Sequence, residues 1–402
     1  MHTGMGEYGM KNFDNFNDYD RKENLHFDSQ TVHGALGHDP FSGSVSFPIY
    51  QTATFRHRGL FESTGFDYSR LQNPTRQELE RTIAILERGE RAFAFTSGQA
   101  ANAAIFDLLN PGDEVVLCDD IYGGTFRLGD LPLKKQNLTF HYVDMCDPSN
   151  IEKAINDHTR MLFLETPTNP MMKVADIELI AGIAHKHNCI FVVDNTLMSP
   201  YFQKPLTLGA DIVVHSGTKF IGGHHDVLSG IVVLKTKEYE DPIQKHLITY
   251  GSQLAPQDAW LLIRGLKTLH LRMERHAENA AKIAAWLRTQ DKVKQVYYAG
   301  FEDHPGYEIM KKQCSGFGGM LSFSVESADM VKKILKRVDL VYFAESLGGP
   351  ETLITYPMTQ THESIPAEIR DALGITDCLL RLSAGLENAD DLIADLDQAI
   401  NG

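Results

Sequence analysis

Between residues 70 and 266 the chain alternates short apolar runs with longer stretches of helical period. The runs at 114–118, 139–143, 161–165, 190–194 and 212–215 carry β-branched and aromatic residues with few polar interruptions, as strands buried on both faces do. Residues 176–187 place apolar side chains at helical spacing, and 97–109 is alanine-rich and opens on Ser97 and Gly98. Such alternation predicts an α/β fold with a mostly parallel sheet, helices covering both faces. A long helical stretch at 258–289 leads into a second region. There, 320–325, 330–338 and 379–383 suggest a smaller C-terminal α/β domain, closed by a helix at 389–400. Residues 1–65 lack sustained periodicity and are rich in Gly, Asn, Asp and His, so they are expected to form an arm that contacts a neighbouring subunit. The expected organisation is that arm, a large domain at 66–266 and a small domain at 267–402.

Composition narrows the function. The 402 residues are 43% hydrophobic and 23% charged, ordinary for a soluble globular chain long enough for two domains. A net charge of −15 argues against nucleic-acid binding, which needs clustered Lys and Arg. The five cysteines, Cys118, Cys146, Cys189, Cys314 and Cys378, are scattered, without a Cys-x-x-Cys pair. They suit a reducing cytosol better than a disulfide framework or a zinc site. The first two dozen residues lack a signal-peptide core, and no apolar run is long enough to span a membrane. A soluble, cytoplasmic protein with no metal is expected.

The candidate chemistry lies where apolar runs end. One run ends on Asp194; the next ends on Ser216 and is followed by Gly217, Thr218 and Lys219. In an open α/β sheet the ligand crevice lies outside the carboxyl ends of the strands, so Asp194 and Lys219 would face one crevice. An amine and a carboxylate so placed suit a pyridine-aldehyde cofactor, with the lysine on the aldehyde and the acid on the ring nitrogen. Taken singly, the lysine also reads as a solvated loop residue and the aspartate as a helix cap. Ser216-x-x-Lys219 matches the serine-nucleophile motif of β-lactamases as well, but their Ser-Asp-Asn and Lys-Thr-Gly partners are missing. No Gly-x-Gly-x-x-Gly turn joins a predicted strand to a predicted helix, and Gly-x-x-x-x-Gly-Lys-Ser/Thr does not occur, so nicotinamide and nucleotide chemistry lose ground. Ser97-Gly98-Gln99 opens a helix whose free N–H groups suit an anion, although Ser97 alone reads as an N-cap. Tyr122, followed by Gly123 and Gly124, stands after a predicted strand, where its ring could stack on a flat cofactor or simply shape a turn.

Together these residues identify a resemblance. Tyr68-Ser-Arg70-Leu-Gln-Asn-Pro-Thr, Thr96-Ser-Gly-Gln, Tyr122-Gly-Gly-Thr, Glu165-Thr-Pro-Thr-Asn169-Pro, Asp194-Asn-Thr196, Ser216-Gly-Thr-Lys219-Phe, Ala344-Glu-Ser-Leu-Gly-Gly and Leu380-Arg381-Leu-Ser-Ala-Gly run in order along nearly the whole chain. The sequence resembles the trans-sulfuration enzymes of cysteine and methionine metabolism, which use pyridoxal 5'-phosphate and include cystathionine γ-synthase. The resemblance implies a fold-type-I, aspartate-aminotransferase-like architecture. It implies that Lys219 carries the cofactor and shuttles protons, that Asp194 pairs with the ring nitrogen beside Thr196, and that Tyr122 stacks on the ring. Gly98, Gln99, Ser216 and Thr218 would hold the phosphate, reached from a neighbouring subunit by Tyr68 and Arg70. Asn169 and Arg381 would grip the substrate carboxylate, with Ser346 and Thr361 close by and with Arg127 and Glu345 toward the distal end. Amino acids are the implied substrates, and a homotetramer built from active dimers the implied assembly.

Departures refine the reading. Methionine γ-lyases of this family carry cysteine where Gly124 stands, which counts against that activity. Gln99 replaces a commoner apolar residue, a change that a backbone contact survives. His224-His225-Asp226 replaces a family His-Ser-Asp and reads as a loop rather than a metal cluster. The expected activity is γ-replacement of an O-acylhomoserine by cysteine. Cystathionine γ- or β-lyase and O-acylhomoserine sulfhydrylase are alternatives, and a binding protein that kept the fold without the chemistry is the alternative of another class.

Overall fold

The computed structural model describes residues 24–39 and 41–402; most of the N-terminal arm's first part lies outside them. Seven strands build the larger sheet: β1 (Arg91–Phe95), β2 (Glu114–Cys118), β3 (Thr139–Val143), β4 (Thr159–Glu165), β5 (Ile190–Asp194), β6 (Ile212–Ser216) and β7 (Gly230–Leu234). Their order is β1-β7-β6-β5-β4-β2-β3. The pairs β3/β2, β2/β4, β4/β5 and β5/β6 are parallel, whereas β7 runs antiparallel to both β6 and β1. The expected strands are present, and the sheet is parallel except for β7. Five further strands make the smaller sheet: β8 (Val293–Tyr297), β9 (Met320–Val325), β10 (Tyr342–Phe343), β11 (Leu353–Thr355) and β12 (Leu379–Ser383), in the order β10-β11-β12-β9-β8.

Local sequence explains the helices that frame the site. Pro74–Glu87 starts with proline at its first turn and is capped by Asn73, whose side chain accepts from the N–H groups of Thr75 and Arg76. Gly98–Phe106 is capped by Ser97, which accepts from Ala100 N. Ile177–Lys186 is capped by Asp176, and its buried face (Ile177, Ile180, Ala181, Ala184) recurs at helical spacing.

The stretch expected as one helix at 258–289 is two, Pro256–Leu266 and Leu269–Leu287. The break has a tertiary cause. Arg272 donates to the carbonyls of Gly265 and Phe220, at 2.7 Å each, which holds the turn before it open. Leu269–Leu287 also belongs to two cores. Leu269 and Met273 pack with the large sheet, and Ala280, Ile283, Ala284 and Leu287 with the small one. Residues 24–39 lie against this frame, with Glu78 Oε1 accepting from Ala35 N and Leu36 N at 3.1 Å. No helix among the described residues is long and apolar enough to cross a membrane.

Candidate active site

Strand order places the site. β4, β5 and β6 are adjacent and parallel, so their carboxyl ends deliver Glu165, Asp194 and Ser216 to one edge of the sheet. Because β7 runs back beside β6, residues 217–229 stay at that edge and carry Thr218 and Lys219. The helix Gly98–Phe106 points its N-terminus there, and the small domain closes the opposite side with Ser346, Leu347 and Arg381. The result is a cavity of about 210 Å³ that all these groups line. That is far more than a packing defect, which holds one water at most.

On the sheet side, Asp194 Oδ1 accepts from Thr196 N (3.0 Å) and Thr196 Oγ1 (2.5 Å). Its Oδ2 receives no donor from the described residues. Burial pushes the Asp194 carboxyl up, and the Thr196 bonds oppose that rise. The unmet oxygen on the cavity wall is what a pyridinium N–H would satisfy. No carboxylate among the described residues pairs with Lys219; Nζ donates to Ser346 Oγ at 2.7 Å. Burial first, and then the Arg381 charge, bring the amine down to about 8. Roughly a quarter of it is therefore free base at pH 7.5, against about a thousandth at the ordinary lysine value, and the free base is the form that attacks an aldehyde.

Gly98 and Gln99 supply the first N–H groups of their helix beside Ser216, and a Cβ on Gly98 would come within 3.3 Å of Ser216 Cβ. With the Ser216 and Thr218 hydroxyls they form a compact cradle suited to a phosphate. Tyr122 stands at the N-terminus of the helix Gly123–Leu128, is 39% exposed and lines the cavity. Gly123 lets this turn meet the small domain, for a Cβ there would lie 2.2 Å from the Thr361 carbonyl oxygen. An acceptor for a ring nitrogen, a low-pKa amine and an anion cradle in one cavity fit pyridoxal phosphate.

On the small-domain side Arg381 is almost completely buried, yet no carboxylate among the described residues pairs with it. Nη1 donates to Asn169 Oδ1 (3.0 Å), and Nη2 to the Ser346 carbonyl (2.7 Å) and Thr355 Oγ1 (2.9 Å). Burial lowers the guanidinium to about 10. A buried cation left without a counter-ion is costly and marks where an anion binds. Ser346 thus touches both anchors, its hydroxyl on Lys219 and its carbonyl on Arg381, and it does so with φ at 97°, in the left-handed region.

The structure brings together Gly98, Gln99, Tyr122, Asn169, Asp194 and Thr196 with Ser216, Thr218, Lys219, Glu345, Ser346, Thr361 and Arg381. Tyr68 and Arg70 stand outside this cavity; Arg70 donates to Ile248 O instead. Arg127 is also outside its lining, although its charge acts on Tyr122. His225 lies 3.8 Å from Glu351, and among the described residues no group of three or more His, Cys, Asp or Glu side chains could hold a metal. Sequence reasoning passed over Glu165, Asn102 and Leu347, which also line the cavity. Glu165 stood inside a quoted motif, but only its strand pairing with Asp194 reveals its place.

Reconstitution supplies a test of the amine. The rate at which apo-protein takes up pyridoxal phosphate should rise about tenfold per pH unit below about 8 and level off above it. A rate still climbing at pH 10 would return Lys219 to an ordinary lysine.

Comparison with known proteins places the site in context. The model of the Cys/Met metabolism PLP-dependent enzyme family matches residues 28–401. Over 372 residues the chain is 46% identical to a cystathionine beta-lyase of Lactococcus lactis subsp. cremoris (strain MG1363), covering 92% of this chain and 98% of that protein. It is 48% identical over 362 residues to a cystathionine gamma-synthase/O-acetylhomoserine (thiol)-lyase of Bacillus subtilis (strain 168), covering 90% and 93% respectively. The crystal structure of a cystathionine gamma-lyase from Lactobacillus plantarum complexed with L-serine superposes with a TM-score of 0.91 at 44% identity, covering 93% of this chain and 98% of that one.

Proposed function

The chain belongs to the Cys/Met metabolism PLP-dependent enzyme family, and from that premise we propose that it catalyses γ-replacement on an O-acylhomoserine, with cysteine as the incoming thiol and cystathionine as the product. It is a pyridoxal-phosphate enzyme of trans-sulfuration with a fold-type-I architecture. Ser346 supports the shared chemistry, its hydroxyl accepting from Lys219 and its carbonyl from Arg381, and the preference for γ-replacement rests on the 48% identity to the Bacillus subtilis gamma-synthase. A substrate whose carboxylate lies on Arg381 would bring its α-carbon toward the Lys219 amine, which lines the same cavity.

When bound, pyridoxal phosphate supplies the electron sink that lets bonds to the substrate's α-carbon break. Lys219 is the base that takes the α-proton and moves protons at the neighbouring carbon, helped by burial that lowers its amine to about 8. Asp194 holds negative charge toward the ring nitrogen and is itself fixed by Thr196. Gly98, Gln99, Ser216 and Thr218 hold the phosphate. Tyr122 covers the ring. Arg381 and Asn169 orient the carboxylate, with Ser346 and Thr361 at its side. Glu345 lines the same cavity with no cation partner among the described residues, so it is free to receive the ammonium of cysteine. Arg127 stands further out on that side.

A neighbouring subunit supplies Tyr68 and Arg70 in this reading. Two facts support it: both residues miss their own cavity, and the arm exposes Phe41 (87%), Leu60 (83%) and Phe61 (96%). A homotetramer in the cytosol is the assembly we propose. Lyase action on cystathionine uses the same anchors and is the second reading, favoured by the identity to the lactococcal protein. The test is kcat/KM for O-acetyl- or O-succinylhomoserine with cysteine against that for cystathionine alone. At least about tenfold preference for the ester is expected; preference for cystathionine would make the protein a lyase.

A further inference from the structure

Glu165 is the last residue of β4, in register with Asp194 on β5, and only 4% exposed although it lines the cavity. Its Oε2 accepts from Tyr122 N at 3.1 Å, and the Asn169 N–H also donates to its carboxyl. One side chain therefore ties together the backbone of the residue that covers the ring, the backbone of a residue that grips the substrate, and the strand end that carries the ring's acidic partner. No cation among the described residues pairs with it.

We propose that Glu165 is a positioning residue that works as the neutral acid: it fixes the backbone of Tyr122 and Asn169 around the cofactor while leaving the negative charge of the site to Asp194. The inference rests on the cofactor and site reading above. Its surroundings agree with a retained proton. Burial pushes the carboxyl well above its usual range, and Asp194 on β5 and Asp120 after β2 push in the same direction; only backbone N–H donation opposes them. Cys118 on β2 faces it through the Glu165 N–H at 3.3 Å and is held as a thiol by its own burial. Arg381 on β12 feels Glu165 weakly, behind Tyr122 and Glu345. A second ionised carboxylate beside Asp194 would repel it, whereas a neutral acid keeps an acceptor for the two N–H groups at no electrostatic cost.

The holoenzyme tests this with Glu165→Gln and Glu165→Met. Glutamine copies the neutral acid in shape and keeps a carbonyl acceptor; methionine keeps the volume and removes both acceptors. The measurements are the pH titration of the cofactor's absorption band, its induced circular dichroism, cofactor Kd on the apo-protein, and kcat/KM. Glu165→Met should weaken cofactor binding about tenfold, reduce the induced dichroism and lower kcat/KM by about thirtyfold, as loss of a buried acceptor for two donors requires. Glu165→Gln should recover most of each loss and titrate within about 0.3 unit of the wild type. The proposal is overturned if glutamine shifts the titration by about a unit or more, since that marks an ionised carboxylate. It is overturned equally if methionine changes nothing. Should the methionine variant fail to fold, the glutamine titration alone decides. A wild-type protein without a cofactor band would instead defeat the underlying site reading, whatever happens at position 165.

Discussion

Replacing Lys219 with alanine should reduce turnover by about 10⁴ or more while leaving the fold intact, because both the covalent attachment and the proton-transfer base vanish together. Structural damage should be small. Among the described residues the Nζ atom makes one hydrogen bond, to Ser346 Oγ, and burial already works against its charge. The variant should match the wild type in far-ultraviolet circular dichroism and in its urea midpoint. After borohydride reduction and denaturation, the wild type should retain a covalent pyridoxyl group and the variant none. A residual rate within a hundredfold of the wild type would remove Lys219 from both roles.

Arg381→Ala should lower kcat/KM for amino-acid substrates by about 10² to 10³, the effect of deleting one side of a desolvated charge pair. The informative readout is a ratio. An amine analogue lacking the α-carboxylate should be discriminated strongly by the wild type and scarcely at all by the variant. Arg381→Lys should recover little, since an ammonium cannot keep the bonds to Asn169, Ser346 and Thr355 while also receiving a carboxylate. Equal losses on the amine and the amino acid would show that the change had only disturbed packing.

How far these groups could be read from the chain depends on the kind of signal each carries. Interior parallel strands announce themselves because both faces are buried, so 190–194 and 212–216 stand out as apolar runs, and the residues closing them fall at the crevice. β1 is a poorer signal: Arg91–Phe95 alternates Ala with Phe, and alanine favours helix. The division of 258–289 into two helices was not legible, since Lys267 and Thr268 are no strong breakers. Arg272 bonds back across the break to Gly265 and also to Phe220, and this second partner, 52 residues away, comes close only once the chain has folded. Glu165 was silent for a related reason. A glutamate at a strand end ordinarily meets water, and only the pairing of β4 with β5 and the approach of Tyr122 enclose it. Arg381 stands out only through the family resemblance until the small sheet is in place, where it is buried and no carboxylate among the described residues pairs with it.

The backbone at Ser346 limits which side chains could stand between the amine and the guanidinium. At a φ of 97° a residue branched at Cβ crowds its own peptide, so threonine, which bears the same hydroxyl, is shut out. Glycine would sit there comfortably but bring no oxygen to Lys219. Serine thus meets both demands at this position, and a substitution there that kept the oxygen on Lys219 would need the turn beneath it rebuilt as well.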